Sequence, residues 1–347
     1  MKKKFLYLII FSFIVIILSS CTLVRILNYK LFSEPRLNLG EIGKKEPEIL
    51  RRKIDGQAVI SQNVANLYPV AIMVENEIDS WPQSGLDKAN LVIEAITEAA
   101  ITRFVAFYAT NEDIKKIGPV RSARPYYLDW ADPYQPLYMH VGGSPEALSK
   151  IKSADYSLIA LNQFFNGQYY WRDKWRYAPH NVYTSSELIK QSLADKNLIE
   201  PADYQMWKYK NDLDLEKRPE QVNDIVVNFA QQFYKVRWQY NRSENNYIRY
   251  QNGEIHKMSD GEWIKAKNII VQLNEMVVLD EVGRKRITTL GEGKAWIFRD
   301  GEAIEAKWKK DEINQITKYY DNNGNEIEFN GGTTWIEVIP DEEYIRY

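Results

Sequence analysis

The chain has 347 residues, with 45 lysines and arginines against 47 aspartates and glutamates, for a formal charge of −2. Without the three lysines of the first 21 residues, which hold no acid, 42 basic side chains face 47 acidic ones, and that balance argues against a nucleic-acid binder. Cys21 is the single cysteine, so disulfides, thiol catalysis and thiolate metal sites are excluded.

The chain opens on MKKKFLYLIIFSFIVIILSSC, a basic cap followed by an apolar run from Phe5 to Leu18. That run is shorter than the roughly 17 to 25 residues of a membrane-spanning helix and reads as a secretory signal peptide, residues 1–21. The small residues Ser19 and Ser20 before Cys21 resemble the lipobox of bacterial lipoproteins. The resemblance implies cleavage before Cys21, acylation of Cys21 (palmitate) and a lipid-anchored place on the outer face of the cell membrane. An uncleaved N-terminal anchor is the other reading, and either one exports residues 22–347.

Residues 22–66 mix charge with few aromatics and lack an apolar period, which predicts a tether. The 326 residues from 22 onward then favour two domains. From 67 to 200, the strand-like runs LYPVAIMVEN, ANLVIEAIT, ITRFVAFYAT and QPLYMHVGG alternate with helical stretches such as SPEALSKIKSA, where Ser144 is the expected N-cap and Pro145 the first helical residue. This predicts an α/β or α+β N-terminal ligand-binding domain. Residues 201–222 read as a connector with one helical turn. From 223 to 347 short strands recur, with hairpin signals at Asp300-Gly301 and in DNNGN, which predicts an all-β C-terminal domain built as a twisted meander or small barrel.

The segment GPVRSARPYY carries Arg121 and Arg124 around Ser122, between Pro119 and Pro125. The prolines predict an extended or turning backbone, and alternation would put Arg121 and Ala123 on one side and Ser122 and Arg124 on the other. With Arg103 beside Arg121 and His140 beside Arg124, the result would be a doubly basic pocket suited to phosphate or carboxylate. The opposing reading pairs the two arginines with Glu94, Glu98 or Asp129 as internal braces. Glu94 and Glu98 are also an acid and base pair if they stand at glycosidase spacing.

Downstream, His140 precedes Gly142, Gly143 and Ser144, either a turn whose backbone N–H groups hold an anion or an ordinary tight turn. His180 follows YYWRDKWR, where aromatics alternate with Arg172, Lys174 and Arg176, a composition suited to a sugar or anionic groove and equally to a solvated face. His140, His180 and Glu98 are the candidate catalytic groups, and Arg176 and Asn181 join the candidate ligand contacts. Ser122 with a histidine and an aspartate is a triad by inventory only. No GxSxG, Walker loop, HExxH or CxxC is present, and neither a metal nor a cofactor is assigned.

PVAIMVEN, PQSGLDKANLVIEAITEAAITRFVAFY, IGPVRSARPYYLDWA, YMHVGGSPEAL, AKNIIVQL, GEGKAWIFRDGEAIEAKWKK and TTWIEVIP together resemble the YerB-type lipoprotein family across nearly all of the exported chain. That resemblance implies an N-terminal and a C-terminal domain of unknown function and a lipid anchor, and it implies no reaction. The order of Thr102-Arg103, the turn at Arg121 and Arg124, and HVGGSPEAL is also similar to the LytR-CpsA-Psr glycopolymer transferases. This likeness implies polyprenyl-pyrophosphate sugars held by arginines with a magnesium-holding aspartate. AITRF lacks the aspartate expected just after the arginine, which counts against the transferase reaction.

Two functions compete at this point. One is binding of a cell-wall glycan or phosphorylated glycolipid, with transfer or hydrolysis at a phosphate or glycosidic bond. The other is a non-catalytic module that docks another envelope protein through an aromatic surface.

Overall fold

β1 (Val70–Glu75), β2 (Leu91–Ile96), β3 (Thr102–Tyr108), β4 (Leu137–His140) and β5 (Ile159–Asn162) come from the N-terminal half. Each of the first four is buried along its whole length, as continuous apolar runs covered on both faces must be. The computed structural model describes residues 49–109, 111–198, 204–229 and 232–347. The expected signal peptide, Cys21 and residues 22–48 of the expected tether lie outside them.

From the C-terminal half come β6 (Ile225–Asn228), β7 (Lys235–Asn241), β8 (Asn246–Gln251), β9 (Asn268–Leu273), β10 (Gly291–Arg299), β11 (Glu302–Lys310), β12 (Lys318–Asp321) and β13 (Thr334–Ile339). The α/β character of the first half and the dominance of strands in the second agree with the sequence expectation. Among the described residues, the C-terminal strands do not close a barrel. Five of them continue the N-terminal sheet in the order β12-β11-β10-β9-β13-β2-β3-β1-β4-β5. The seam is β13, which runs parallel to β2 on one side and to β9 on the other. β6, β7 and β8 form a second sheet.

The large sheet divides the core. On one face Val70, Ile72, Val74 and Phe104 pack with Trp238, Tyr247 and Val236 of the second sheet. On the other, Ala71, Met73 and Phe107 pack with helix α1 (Pro125–Ala131). Trp335 of β13 touches Phe104 and Trp238 edge-on, with ring centroids 5.5 and 5.3 Å away, and so ties the seam to the second sheet.

Local chemistry fixes the turns. Asp300 and Gly301 have φ of 54° and 79°, the left-handed pair of a tight hairpin joining β10 and β11. DNNGN also turns, but it closes a single bridge between Tyr320 and Glu326. Helix α2 (Pro145–Lys150) starts as expected, with Ser144 capping the Ala147 N–H at 3.2 Å. Residues 49–66, assigned to the tether by composition, instead pack on the body. Ile54 and Asp55 are buried, and Asp55 accepts from Arg52 and Asn90. A short apolar anchor and one buried ion pair are enough to dock a segment that lacks periodicity.

Candidate functional site

The strands β1, β2, β4, β5, β9 and β13 all point one way, so their carboxyl ends share one edge of the sheet. Open α/β sheets commonly bind ligands at such an edge. Glu75 ends β1, and Glu98 lies just beyond β2. The segment 118–124 crosses there. Arg121 N donates to Met73 O at 2.8 Å, Val120 N to Val182 O at 2.7 Å, and Ala123 N to Gly142 O at 3.0 Å.

A cleft of about 380 Å³ opens at this edge, lined by Glu75, Glu77, Glu98, Arg103, Arg121 and Arg124. Val282 and Arg284, from the hairpin of Met276–Val278 and Lys285–Ile287, overhang it. Arg121 and Arg124 therefore share one cleft, against the alternation expected from an extended segment. The reason is that Arg124 is already the N-cap of α1 and Ala123 is tied to the Gly142–Gly143 turn, so the chain is bending where a straight strand was assumed. Four packed aromatic and aliphatic side chains of α1, Tyr126, Tyr127, Leu128 and Trp130, anchor that bend.

Both arginines have internal carboxylate partners. Arg121 Nε meets Glu75 Oε1 at 2.6 Å, and Arg124 Nε meets Glu98 Oε1 at 2.5 Å. Yet Arg121 and Arg124 remain 25% and 16% exposed and line the cleft. Arg121 meets Glu75 through Nε, whereas Arg124 also donates Nη1 to Ala123 O at 2.7 Å and keeps Nη2 for a ligand. Burial alone would raise the Glu98 carboxyl, but the Arg124 guanidinium outweighs it and holds the group below the usual carboxylate range. Glu98 is therefore an anion at neutral pH. Glu94, the other expected acid, lies apart from the cleft lining, fully buried on Arg249 at 2.6 Å, so the two glutamates form no acid and base pair.

Arg103, opposite Glu75 in the β1–β3 register, is 6% exposed. Its Nη1 donates to Ser122 O at 2.8 Å, while its buried Nε has no hydrogen-bond partner. Burial, and after it the Arg124 charge, make Arg103 less basic than usual.

Other sequence candidates fall elsewhere. His140 lines neither cleft described here. Its Nδ1 donates to Gly142 O at 2.7 Å, its Nε2 is buried without a partner, and burial lowers its pKa, so it is neutral. The Gly142–Ser144 turn spends two of its donors internally, Gly142 N on Asn162 Oδ1 at 3.1 Å and Ser144 N on Ala123 O at 3.3 Å, and Gly143 lies with Gly142 on the wall of a second cavity. Arg176 braces the loop before Gln83 through Ser80 O at 2.8 Å and Pro82 O at 2.7 Å. Asn181 accepts from Arg172 at 2.8 Å. Ser122 and Gly142 line that second cavity, of about 530 Å³, together with Arg121, Phe164 and Phe165. Among the described residues no hydrogen bond joins Ser122 to His140 or His180, whose Nδ1 atoms are held by Gly142 O and Glu75, so no triad forms.

Sequence reasoning missed Glu75, Glu77 and Asp79. His180 Nδ1 meets Glu75 Oε2 at 2.9 Å, so one carboxylate joins Arg121 to His180. The available signal was VENEID, acids at alternate positions leaving a buried strand. Also missed was the buried network behind the cleft, where Asn76 bonds Thr102 at 2.7 Å, Gln83 at 2.9 Å and Gln251 at 3.0 Å. It continues through Arg249 to Glu94 and through His256 to Gln83. Asn76 sits between Glu75 and Glu77, so this network fixes the strand end that presents them.

Residues 55–199 match the N-terminal domain, and residues 225–336 the C-terminal domain, of a family described as Protein of unknown function (DUF3048). The chain is 32% identical over 292 residues, 81% of its length and 83% of the relative's, to a Bacillus subtilis (strain 168) protein named "Putative lipoprotein YerB". The crystal structure of the YerB protein from Bacillus subtilis matches with a TM-score of 0.76 at 28% identity, over 86% of this chain and 99% of that one. Matched in both halves and across its shared sheet, the chain belongs to the DUF3048 family of YerB-like proteins.

Proposed function

We propose that this protein is a membrane-anchored extracytoplasmic lipoprotein, acylated at Cys21, that binds an anionic cell-envelope glycan or glycolipid through a phosphate group in the arginine cleft. The observation that carries the reading is Arg103. A guanidinium that is 6% exposed, with an unpartnered Nε and Arg124 close enough to lower its pKa, is held in a costly state. An anion beside the three guanidiniums would relieve that cost, and Arg121 and Arg124 have the fork geometry to take it. Glu98 is ionised and so is no proton donor at neutral pH, and the reading is one of binding. The name of the Bacillus subtilis relative supports the lipid anchor.

A thermal-shift screen of the full chain in detergent against phosphorylated sugars, lipid pyrophosphates and neutral envelope glycans tests this reading. Stabilisation by the phosphorylated compounds only, abolished in an Arg121→Ala, Arg124→Ala double variant, is expected. No shift with any of them would overturn it. A second reading, docking of another envelope protein, draws on exposed aromatics: Phe164, Phe165, Trp175 and Tyr177 are 66, 84, 84 and 90% exposed.

A further inference from the structure

We propose that His180, Glu77 and Asp79 form a binding site for a divalent transition-metal ion, of the Mn²⁺ or Zn²⁺ kind, at the rim of the arginine cleft. One ligand atom from each of the three lies within 4.8 Å of the others. His180 Nε2 is 3.8 Å from Glu77 Oε2, too long for a hydrogen bond. Ligands that each sit about 2.0 to 2.2 Å from one ion are about 3 to 4 Å apart, and this separation falls in that range.

The group that separates this trio from an ordinary acidic surface is Glu75. Its carboxylate, 3% exposed, takes His180 Nδ1–H at 2.9 Å and is itself held by Arg121 at 2.6 Å. Metal-binding histidines commonly donate their second ring N–H to a carboxylate in this way, which fixes the tautomer and leaves the Nε2 lone pair for the ion. His180 is thus held through Nδ1 by Glu75, and its Nε2 lies 3.8 Å from a Glu77 carboxylate oxygen.

Among the described residues, no lysine or arginine forms an ion pair with the Glu77 or Asp79 carboxylate, although the Arg176 guanidinium lies 3.4 Å from the Asp79 backbone carbonyl. Neither is left loose. Glu77 Oε2 accepts from Asp79 N at 2.8 Å, which orients both on one turn, and Arg176 bonds the backbone of that turn while its own carbonyl accepts from Asn181, the residue after His180. The two segments that supply ligands are therefore cross-linked. One imidazole with two carboxylates suits Zn²⁺, and Mn²⁺ less tightly, over Ca²⁺ or Mg²⁺, which take oxygen ligands.

The inference stands without the anion reading, although Glu77 and Arg103 line the same cleft, so an ion here would lie next to any bound phosphate. The test is isothermal titration of chelator-stripped full chain in detergent with Zn²⁺ and with Mn²⁺, using Ca²⁺ as comparison and no phosphate present. One ion per chain is expected, with affinity lost at least tenfold in Asp79→Asn and in His180→Ala, and reduced about 10- to 100-fold in Glu75→Gln. Asp79 is exposed, so that variant folds even if the others do not. Absence of binding, or equal binding by wild type and Asp79→Asn, overturns the site.

Discussion

Glu75 and Arg121 meet at 2.6 Å at the end of the first strand, and the second oxygen of the same carboxylate holds His180 at 2.9 Å. One buried anion thereby fixes both the arginine segment and the loop that carries the histidine. Glu75→Ala strips two charged hydrogen bonds at once and should cost about 2 to 4 kcal/mol in denaturant unfolding: each bond to a charged group is worth about 1.5 to 3 kcal/mol, and the partly exposed Arg121 and His180 regain water in part. Glu75→Gln should recover part of that loss, because its amide oxygen still accepts from Arg121.

Glu337 predicts an alkaline-side loss of stability. Burial first, and the facing Glu94 second, push its carboxyl well above the usual range, and it stays protonated at neutral pH with Trp238 Nε1 donating to it at 2.8 Å. A carboxyl raised in the folded state keeps a proton that the unfolded chain releases above about pH 4.3. Its stability is full below that value and declines as pH rises, by up to about 1.4 kcal/mol per pH unit. Glu337→Gln, which imitates the neutral form, should be the more stable protein at pH 7 and should show the flatter melting-temperature profile between pH 5 and 8. A constant difference across that window would contradict the assignment.

Asp300 acts in the opposite direction. Burial would raise it, but Lys210, Asn245 and Asn330 donate to it and hold it at about 2. A depressed carboxyl contributes stability that is present above the unfolded value near pH 4 and lost as pH falls toward 2. Asp300→Asn should therefore lose about 2 kcal/mol at pH 7, and the gap to wild type should narrow below pH 4 in acid unfolding.

The docking of residues 49–66 can be tested at Gly56. Its φ is +65°, and a Cβ there would stand 2.1 Å from the Tyr209 ring. Gly56→Ala should cost about 2 kcal/mol or more, as overpacking and a left-handed backbone both oppose it. A free tether would show no change in the denaturant midpoint.

Local signals were legible in the sequence because local chemistry decides them. Ser144-Pro145 marks a helix start, and Asp300-Gly301 marks a hairpin, whatever the surroundings. The continuous apolar runs announced buried strands. The joining of the two halves was not legible, since β13 pairs with β2 across more than two hundred residues and nothing in TTWIEVIP names its neighbour. At the site, Arg103, Arg121, Arg124 and Glu98 were identified and do meet. Their geometry was misjudged, because period-two alternation fails where a helix begins, and Arg121's partner Glu75 lies 46 residues upstream. His140 was attractive as one of three histidines, but burial beside Gly142 makes it a packing residue.

The most direct measurement is calorimetric titration of the full chain in detergent with N-acetylglucosamine 1-phosphate and with inorganic pyrophosphate, metal-free, for wild type and Arg124→Ala. Saturable binding that weakens with salt, falls at least tenfold in the variant (about 1.4 kcal/mol) and is absent with unphosphorylated N-acetylglucosamine is the expected result. Failure of wild type to bind either phosphate, or equal binding by Arg124→Ala, would contradict the arginine cleft as an anion site.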